Sequence, residues 1–404
     1  MRQTPQSNRV HIAVVGETNA GKSALFNAIL GQESAIVSAI AGTTTDPVSK
    51  SMELLPYGSV VLIDTAGLND GTALGQARMR KTMAVLDRAD YALYVCDANG
   101  ADDGAYHKMA AELAERDIPH MVVVTKKDAA DAAIVNKKIQ TYANAAAVSI
   151  YDKNAIQALK AKLAAGLLDH MAANERSLVS GLVPPGGVAV LVVPLDAGAP
   201  KGRLILPQVQ LLRDCLDNGV RCHVTTPAQL PSALRECARI DMIITDSQAF
   251  SEVEAIVPRD MPLTSFSILM ARQKCDLEPL IEGTRRIGAL EDGDRVLVAE
   301  VCTHNQSHED IGRVKIPATL EKITGKRLLF TFVNGKDYPE DLGQYALIVH
   351  CGGCMATPKE IGMRMKKAAR HGVPATNYGL VLAYGSGIFT RAVEMVRRAP
   401  DGGK

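Results

Sequence analysis

The chain has 404 residues, 47% hydrophobic and 22% charged, with 45 Lys and Arg against 44 Asp and Glu, no Trp and 4% aromatic residues. Near-neutral charge and few aromatic rings argue against a nucleic-acid partner, and no apolar run approaches the roughly 20 residues of a membrane helix. The length suits several domains, and the polar start "MRQTPQSNRV" leads to the expectation of a cytoplasmic protein without disulfides.

From Val10 to about Leu168, apolar runs such as "VHIAVVG", "VVLIDTAG", "YALYVCD" and "HMVVVTKKD" alternate with amphipathic ones such as "ALFNAIL", "ARMRKTMAVLD" and "MAAELAERD". This pattern predicts a parallel sheet covered by helices on both faces. At the first strand–helix junction "GETNAGKS" (16–23) fits G-x-x-x-x-G-K-S/T. The cradle runs from Gly16 through Asn19, Ala20, Gly21, Lys22 and Ser23 to Ala24. Its N–H groups and the helix N-terminus face phosphates, Lys22 reaches the β and γ oxygens, and the Ser23 hydroxyl ligates magnesium. "DTAG" (64–67) ends the next apolar strand, where Asp64 holds the metal through its water shell and Gly67 turns its N–H toward the γ-phosphate. "TKKD" (125–128) ends a further strand.

This set resembles the translation-factor class of P-loop GTPases, whose fourth motif is N-K-x-D. The resemblance implies a P-loop GTPase fold over 1–172 that binds GTP and Mg2+, with Asp128 reading the guanine edge and Lys126 packed on the ring. Thr125 replaces the usual Asn, which weakens one loop contact. "AGTTTDP" (42–48) is similar to the G-T-T-R-D switch loop of the Era and TrmE GTPases, which makes Thr44 a magnesium ligand. "VSIYDKN" (148–154) is the candidate fifth motif. Leu68 follows "DTAG" where Ras-like enzymes carry a water-orienting Gln, so intrinsic hydrolysis should be slow. TrmE-like enzymes compensate with K+ held partly by a P-loop Asn. Asn19 occupies that position and is otherwise a residue that tolerates the turn.

Polar "AANERS" (172–177) and "PPGG" (184–187) punctuate the chain. A second α/β unit, 178–265, carries "VAVLVVPLD", "QVQLLRDCLDNG", "VRCHVTT", "ALRECAR" and "IDMIITD". A third, 266–404, carries "DRVLVAEVCTH", "KRLLFTFVNG", "YALIVHCGGC", the charged helix "KEIGMRMKKAARHG", "VPATNYG" and "FTRAVEMVRR". The expected fold class is thus α/β in three domains, the last two smaller and built on parallel sheets.

Of eight cysteines, at 96, 215, 222, 237, 275, 302, 351 and 354, only the last two are closely spaced. The first five read as small buried hydrophobes. A cytosolic C-x-x-C is a redox pair, half a zinc site or part of an iron–sulfur site. For zinc, Cys302 and His304 of "CTH" complete a four-ligand set with Cys351 and Cys354. Both groups end apolar runs, so a parallel sheet brings them to its carboxyl edge. Thr357, Pro358 and Glu360 read as a capping box whose helix directs its positive end at the thiols. Gly352 and Gly353 allow close approach of backbone N–H groups to sulfur.

C-x-H at 302–304 followed by H-C-x-x-C at 350–354, on a chain that opens with a TrmE-like GTPase domain, resembles the HydF family of FeFe-hydrogenase maturation GTPases along the whole length. The resemblance implies a dimerisation domain at 178–265 and a cluster-binding domain at 266–404, with Cys302, Cys351 and Cys354 holding a 4Fe–4S cluster. The fourth ligand is left among His304, His350, Glu309, Asp310 and an exchangeable small molecule. It further implies a homodimeric scaffold that receives a diiron subcluster from the radical-SAM maturases HydE and HydG and delivers it to apo-hydrogenase HydA. Two alternatives stand beside it: an Era- or TrmE-like GTPase acting on RNA with a zinc-stabilised C-terminal domain, for which the best basic run is "RMKKAARHG", and a redox enzyme using its cluster for electron transfer.

Overall fold

The computed structural model describes residues 9–31, 47–67, 73–100, 104–171, 176–195, 204–301, 311–335 and 338–398. Two compact units result, Met1–Asn174 and Glu175–Lys404.

The first unit runs β1 (Val10–Gly16), α1 (Lys22–Leu30), β2 (Val48–Leu54), β3 (Gly58–Asp64), α2 (Ala73–Leu86), β4 (Tyr91–Asp97), α3 (Gly104–Glu115), β5 (His120–Thr125), α4 (Ala132–Thr141), β6 (Ala145–Ala147) and α5 (Lys153–Met171). Its six strands lie in the order β2-β3-β1-β4-β5-β6. Only β2, at the edge, is antiparallel among the described pairings. The central strands β1 and β4 are buried almost throughout because helices cover both faces. On one face Leu25, Phe26 and Ile29 of α1 join Ile156, Leu159, Leu163 and Leu167 of α5. On the other, Val85 and Leu86, Met109 and Leu113, and Val135 come from α2, α3 and α4.

The second unit continues with β7 (Val188–Val192), α6 (Leu206–Asp217), β8 (Arg221–Thr225), α7 (Leu230–Glu236), β9 (Met242–Thr245), α8 (Phe250–Ile256), β10 (Leu263–Ser265) and α9 (Phe266–Lys274). It ends with α10 (Glu278–Arg285), β11 (Arg295–Glu300), α11 (Ile316–Thr324), β12 (Leu329–Asn334), β13 (Leu347–His350), α12 (Pro358–Arg370), β14 (Ala375–Asn377), α13 (Tyr378–Gly385) and α14 (Phe389–Arg398). Two four-stranded sheets form, β10-β9-β7-β8 and β12-β11-β13-β14, all of whose pairings are parallel. The expected α/β class with parallel sheets is what the chain adopts.

These two sheets share one apolar core, which contains Val190 and Ile244 of one and Leu297 and Ile348 of the other. Helix α9 lies within it: Ser265 caps its N-terminus by accepting from Ile268 N at 3.3 Å, and Ile268, Leu269, Met270 and Ala271 are all buried. Helix α10 sits so close to β14 that a Cβ on Gly283 would meet the Ala375 carbonyl oxygen at 1.9 Å, so only glycine is admitted there. No helix among the described residues is long and apolar enough to cross a membrane.

Candidate functional site

The P-loop joins β1 to α1 as the motif requires. Gly16 ends the strand at φ 146°, Asn19 is exposed and left-handed at φ 64°, and Gly21 caps the helix at φ 86°. Lys22, Ser23 and Ala24 form its first turn. Lys22 is only 7% exposed and donates to the Glu17 carbonyl at 2.6 Å, while the Ser23 hydroxyl donates to Asp64 Oδ2 at 2.6 Å. Asp64 Oδ1 is buried without a hydrogen-bond partner among the described residues. Burial lowers the Lys22 ammonium to about 8 against the charges of Asp64 and Glu17. Burial also raises the Asp64 carboxyl against the Ser23 hydrogen bond and the Lys22 charge. A buried cation, a buried acceptor with an open lone pair and a hydroxyl between them fit a magnesium–phosphate group, whose charges would satisfy all three.

Gly67 packs on the P-loop so tightly that a Cβ would lie 2.7 Å from Thr18 Cα. Its position follows from β3 being the parallel neighbour of β1, which brings "DTAG" beside the loop. Thr44 and Leu68 lie outside the described residues.

The 125–128 loop is tied to the P-loop by contacts that the sequence did not reveal. The buried Thr125 hydroxyl lies 2.6 Å from the Ala20 carbonyl and 3.1 Å from that of Cys96, so the residue in place of Asn still bonds the loop. Lys126, left-handed at φ 57°, donates to Asn19 O at 2.9 Å and Asp97 Oδ2 at 2.7 Å. Burial raises the Asp97 carboxyl, but the Lys126 and Asn99 hydrogen bonds and the Lys126 and Lys138 charges outweigh it and hold the group low. Asp97 was missed by sequence reasoning; its signal is an acid at the end of an apolar strand, "YALYVCD". Asp128 lies in the single turn Lys127–Ala129 with its side chain exposed. The candidate fifth motif stands beside it, since Val148 O accepts from Lys127 N at 3.4 Å and Asp152 pairs with Lys127 at 3.2 Å.

At the second location, Cys351 follows β13 directly. Its sulfur accepts from Val301 N at 3.3 Å and from Gly353 N. Burial raises the Cys351 thiol, and these two N–H groups oppose the rise. Gly353 is left-handed at φ 62° and turns the chain toward the half-buried Cys354. The expected capping box is made on one side: Thr357 Oγ1 accepts from Glu360 N at 3.2 Å, whereas the Glu360 carboxylate pairs with Arg364 at 3.0 Å. His350 is 3% exposed, with neither ring nitrogen hydrogen-bonded among the described residues, and stacks on Tyr338 at 5.7 Å. Burial, aided by the Arg364 charge, lowers it to about 3, so the ring is neutral.

Cys302, His304, Glu309 and Asp310 lie outside the described residues. Among those described, no group of three or more His, Cys, Asp or Glu side chains is arranged to hold a metal. Two thiols on a glycine loop with N–H groups aimed at sulfur, and an unpartnered neutral imidazole beside them, fit a soft metal or an iron–sulfur group.

Fold and nucleotide loops together define the first unit as a P-loop GTPase domain. Residues 11–126 match the 50S ribosome-binding GTPase family. Residues 178–275 match the hydrogen maturase F dimerization domain, and 278–395 its tetramerization domain. The chain belongs to the HydF family, GTPases of TrmE and Era type.

It is similar in part to the tRNA modification GTPase MnmE of Xanthomonas oryzae pv. oryzae, 47% identical over 90 residues, 22% of this chain and 20% of that protein. GTPase Der of Sulfurimonas denitrificans is 35% identical over 137 residues, 33% of this chain and 28% of that protein. The chain spans less than a third of the length of these relatives. Aquifex aeolicus Era bound to GDP and AlF4− shares 18% identity over 56% of this chain and 97% of its own, at a TM-score of 0.34 that is too low to carry an argument.

Lys22 must be charged to pair with phosphate, so its value near 8 in the free protein rises on binding, and binding takes up protons where the free group is partly neutral. At pH 8 about half a proton should be taken up per GTP, and affinity should fall as pH rises through that value. Calorimetry in buffers of different ionisation enthalpy measures this uptake, and none would mean that burial does not lower the Lys22 ammonium in the free protein. Asp128→Asn exchanges an acceptor for a donor and should shift preference from GTP toward XTP in competition binding; unchanged preference would exclude "TKKD" as the base reader.

Proposed function

We propose that the chain is a GTP-hydrolysing scaffold and carrier that binds a 4Fe–4S cluster and delivers a diiron subcluster to apo FeFe-hydrogenase. The observation that carries this reading is the joining, on one chain, of a P-loop GTPase domain to both hydrogen maturase F domains, with a C-x-x-C loop at the carboxyl edge of the last sheet. Cys302, Cys351 and Cys354 are the proposed cluster ligands, and His350 or His304 is the protein candidate for the fourth. The cluster supplies, when bound, an iron with a weakly held ligand that a diiron complex is able to bridge. Cys351 and Cys354 present their sulfurs from one loop, and Val301 and Gly353 orient the first of them. The diiron unit is cargo, received from the maturases HydE and HydG and passed to HydA. The matched domain names support self-association of the chain, as a dimer or a higher assembly. A cytoplasmic location belongs to this reading.

In the GTPase domain, Lys22 and Ser23 hold the phosphates and magnesium, Thr44 is the second magnesium ligand, and Gly67 senses the γ-phosphate. Asn19, exposed at the loop surface, is the proposed ligand for K+. The RNA-acting alternative draws on the MnmE likeness, which covers 22% of the chain in one relative and 38% in another, and the two C-terminal family matches favour the maturation reading.

After anaerobic reconstitution, the parent chain should show iron–sulfur ultraviolet-visible and EPR spectra, and Cys302→Ser, Cys351→Ser or Cys354→Ser should each deplete them and abolish activation of apo-hydrogenase. Lys22→Ala should keep the cluster and impair maturation in cells. Cysteine variants that activate as well as the parent would make the thiols structural. GTP hydrolysis should be slow and faster in K+ than in Na+; equal rates in the two salts would remove the role of Asn19.

A further inference from the structure

We propose that Lys274, the last residue of α9, is the positioning residue of the thiol loop, fixing its backbone and placing a buried positive charge beside the sulfurs; this rests on the cluster reading given above. Its ammonium donates to the Gly353 carbonyl and, at 2.9 Å, to the Ala356 carbonyl. Those two carbonyls flank Cys354 and Met355 in sequence, so one side chain pins both ends of the turn that carries the second thiol. An ammonium has three donors, and the two bonds leave one for a further acceptor.

The location of this charge is costly unless it is used. Lys274 is 7% exposed and lines a small cavity with Met270, Ala271, His350 and Cys351. Burial lowers its ammonium to about 8, and the groups whose charges oppose that are, first, Cys354 and Cys351, then Glu360 and Cys275. A neutral side chain would suit a pocket of neutral thiols better, because an isolated buried cation is strongly unfavourable. A cation suits it when the thiols are ionised by a bound metal. The N–H groups of Val301 and Gly353 act on the Cys351 sulfur from the backbone and Arg364 of α12 adds a positive charge on it, while Lys274 brings a further charge from α9. Lys274 also lies in the region matched to the dimerization domain, whereas the loop it holds lies in the region matched to the tetramerization domain. The thiol loop is therefore braced by a residue outside its own domain match.

The test uses the full chain and two substitutions. Lys274→Met keeps length and burial but removes charge and donors, and Lys274→Gln keeps donors without charge. Parent and variants are reconstituted anaerobically, and three quantities are read: iron and sulfide content, the rate of iron loss to a chelator, and the midpoint potential from an EPR-monitored titration. Thermal melting of the metal-free chains reports folding and should show one cooperative transition in each, and their GTP hydrolysis rates should match the parent. Lys274→Met should lose iron roughly ten- to hundredfold faster, the range for removing a group that orients a metal ligand, and show a lower midpoint potential because the oxidised cluster is the less negative state. Lys274→Gln should retain iron nearly as the parent does, with the lower potential alone. Parental iron loss and potential in Lys274→Met overturn the proposal. Should that variant not fold, a parental potential in Lys274→Gln overturns it. A parent chain that takes up no cluster overturns the cluster reading itself, and this inference with it.

Discussion

In a parallel sheet every strand delivers its last residues to the same edge, and the chain must turn there before the next helix begins. The turn leaves backbone N–H groups unpaired and aims helix N-termini at whatever sits above the edge. Each site in this chain obeys that constraint. Gly16 to Ser23 follow β1, Asp64 to Gly67 follow β3, Asp97 closes β4, Thr125 to Asp128 follow β5, and Cys351 to Cys354 follow β13. The phosphate loop and the Cys351 loop share this geometry, since in both the backbone turns N–H groups inward, toward phosphate in one and toward the Cys351 sulfur in the other.

At the nucleotide edge the same geometry leaves charge unsatisfied. Lys22, Asp64 and Ser23 are drawn together at the ends of β1 and β3, and burial disfavours the ionised forms of both charged groups. Such an arrangement is stable only because the surrounding sheet fixes it, and a magnesium–phosphate group removes its cost. The P-loop and the 125–128 loop are not independent of each other. Through Thr125 and Lys126, one buried hydroxyl and one ammonium join residues 125 and 126 to the carbonyls of residues 20 and 19. The 125–128 loop and the P-loop are thus mechanically linked.

The second unit shows the reverse case, in which two sheets with separate family matches are bound by one core. Helix α9 is the physical reason: it begins at the end of β10, buries nearly its whole circumference, and packs against α6 on one side and α12 and α13 on the other. The thiol loop consequently rests on a helix that is shared, and the rigidity of that helix is passed to the loop.

The sequence by itself determined the element pattern and the local motifs. Fully buried parallel strands write continuous apolar runs, and phosphate loops need fixed spacings of glycine, lysine and hydroxyl within a few residues. Thr357 as a helix cap, Gly16 and Asp64 at strand ends and Lys22 at the start of α1 were legible for that reason. Helices α9 and α13 were not: "FSILMARQ" and "YGLVLAYG" are short, buried on nearly all sides and without the period that marks an exposed face, so burial erased the signal. Asp97, the bond from Thr125 to Ala20 and the grip of Lys274 on the loop at Gly353 join residues tens to more than a hundred positions apart. Only tertiary structure decided these contacts, because strand order and helix packing set which distant side chains meet, and neither leaves a local trace in the chain.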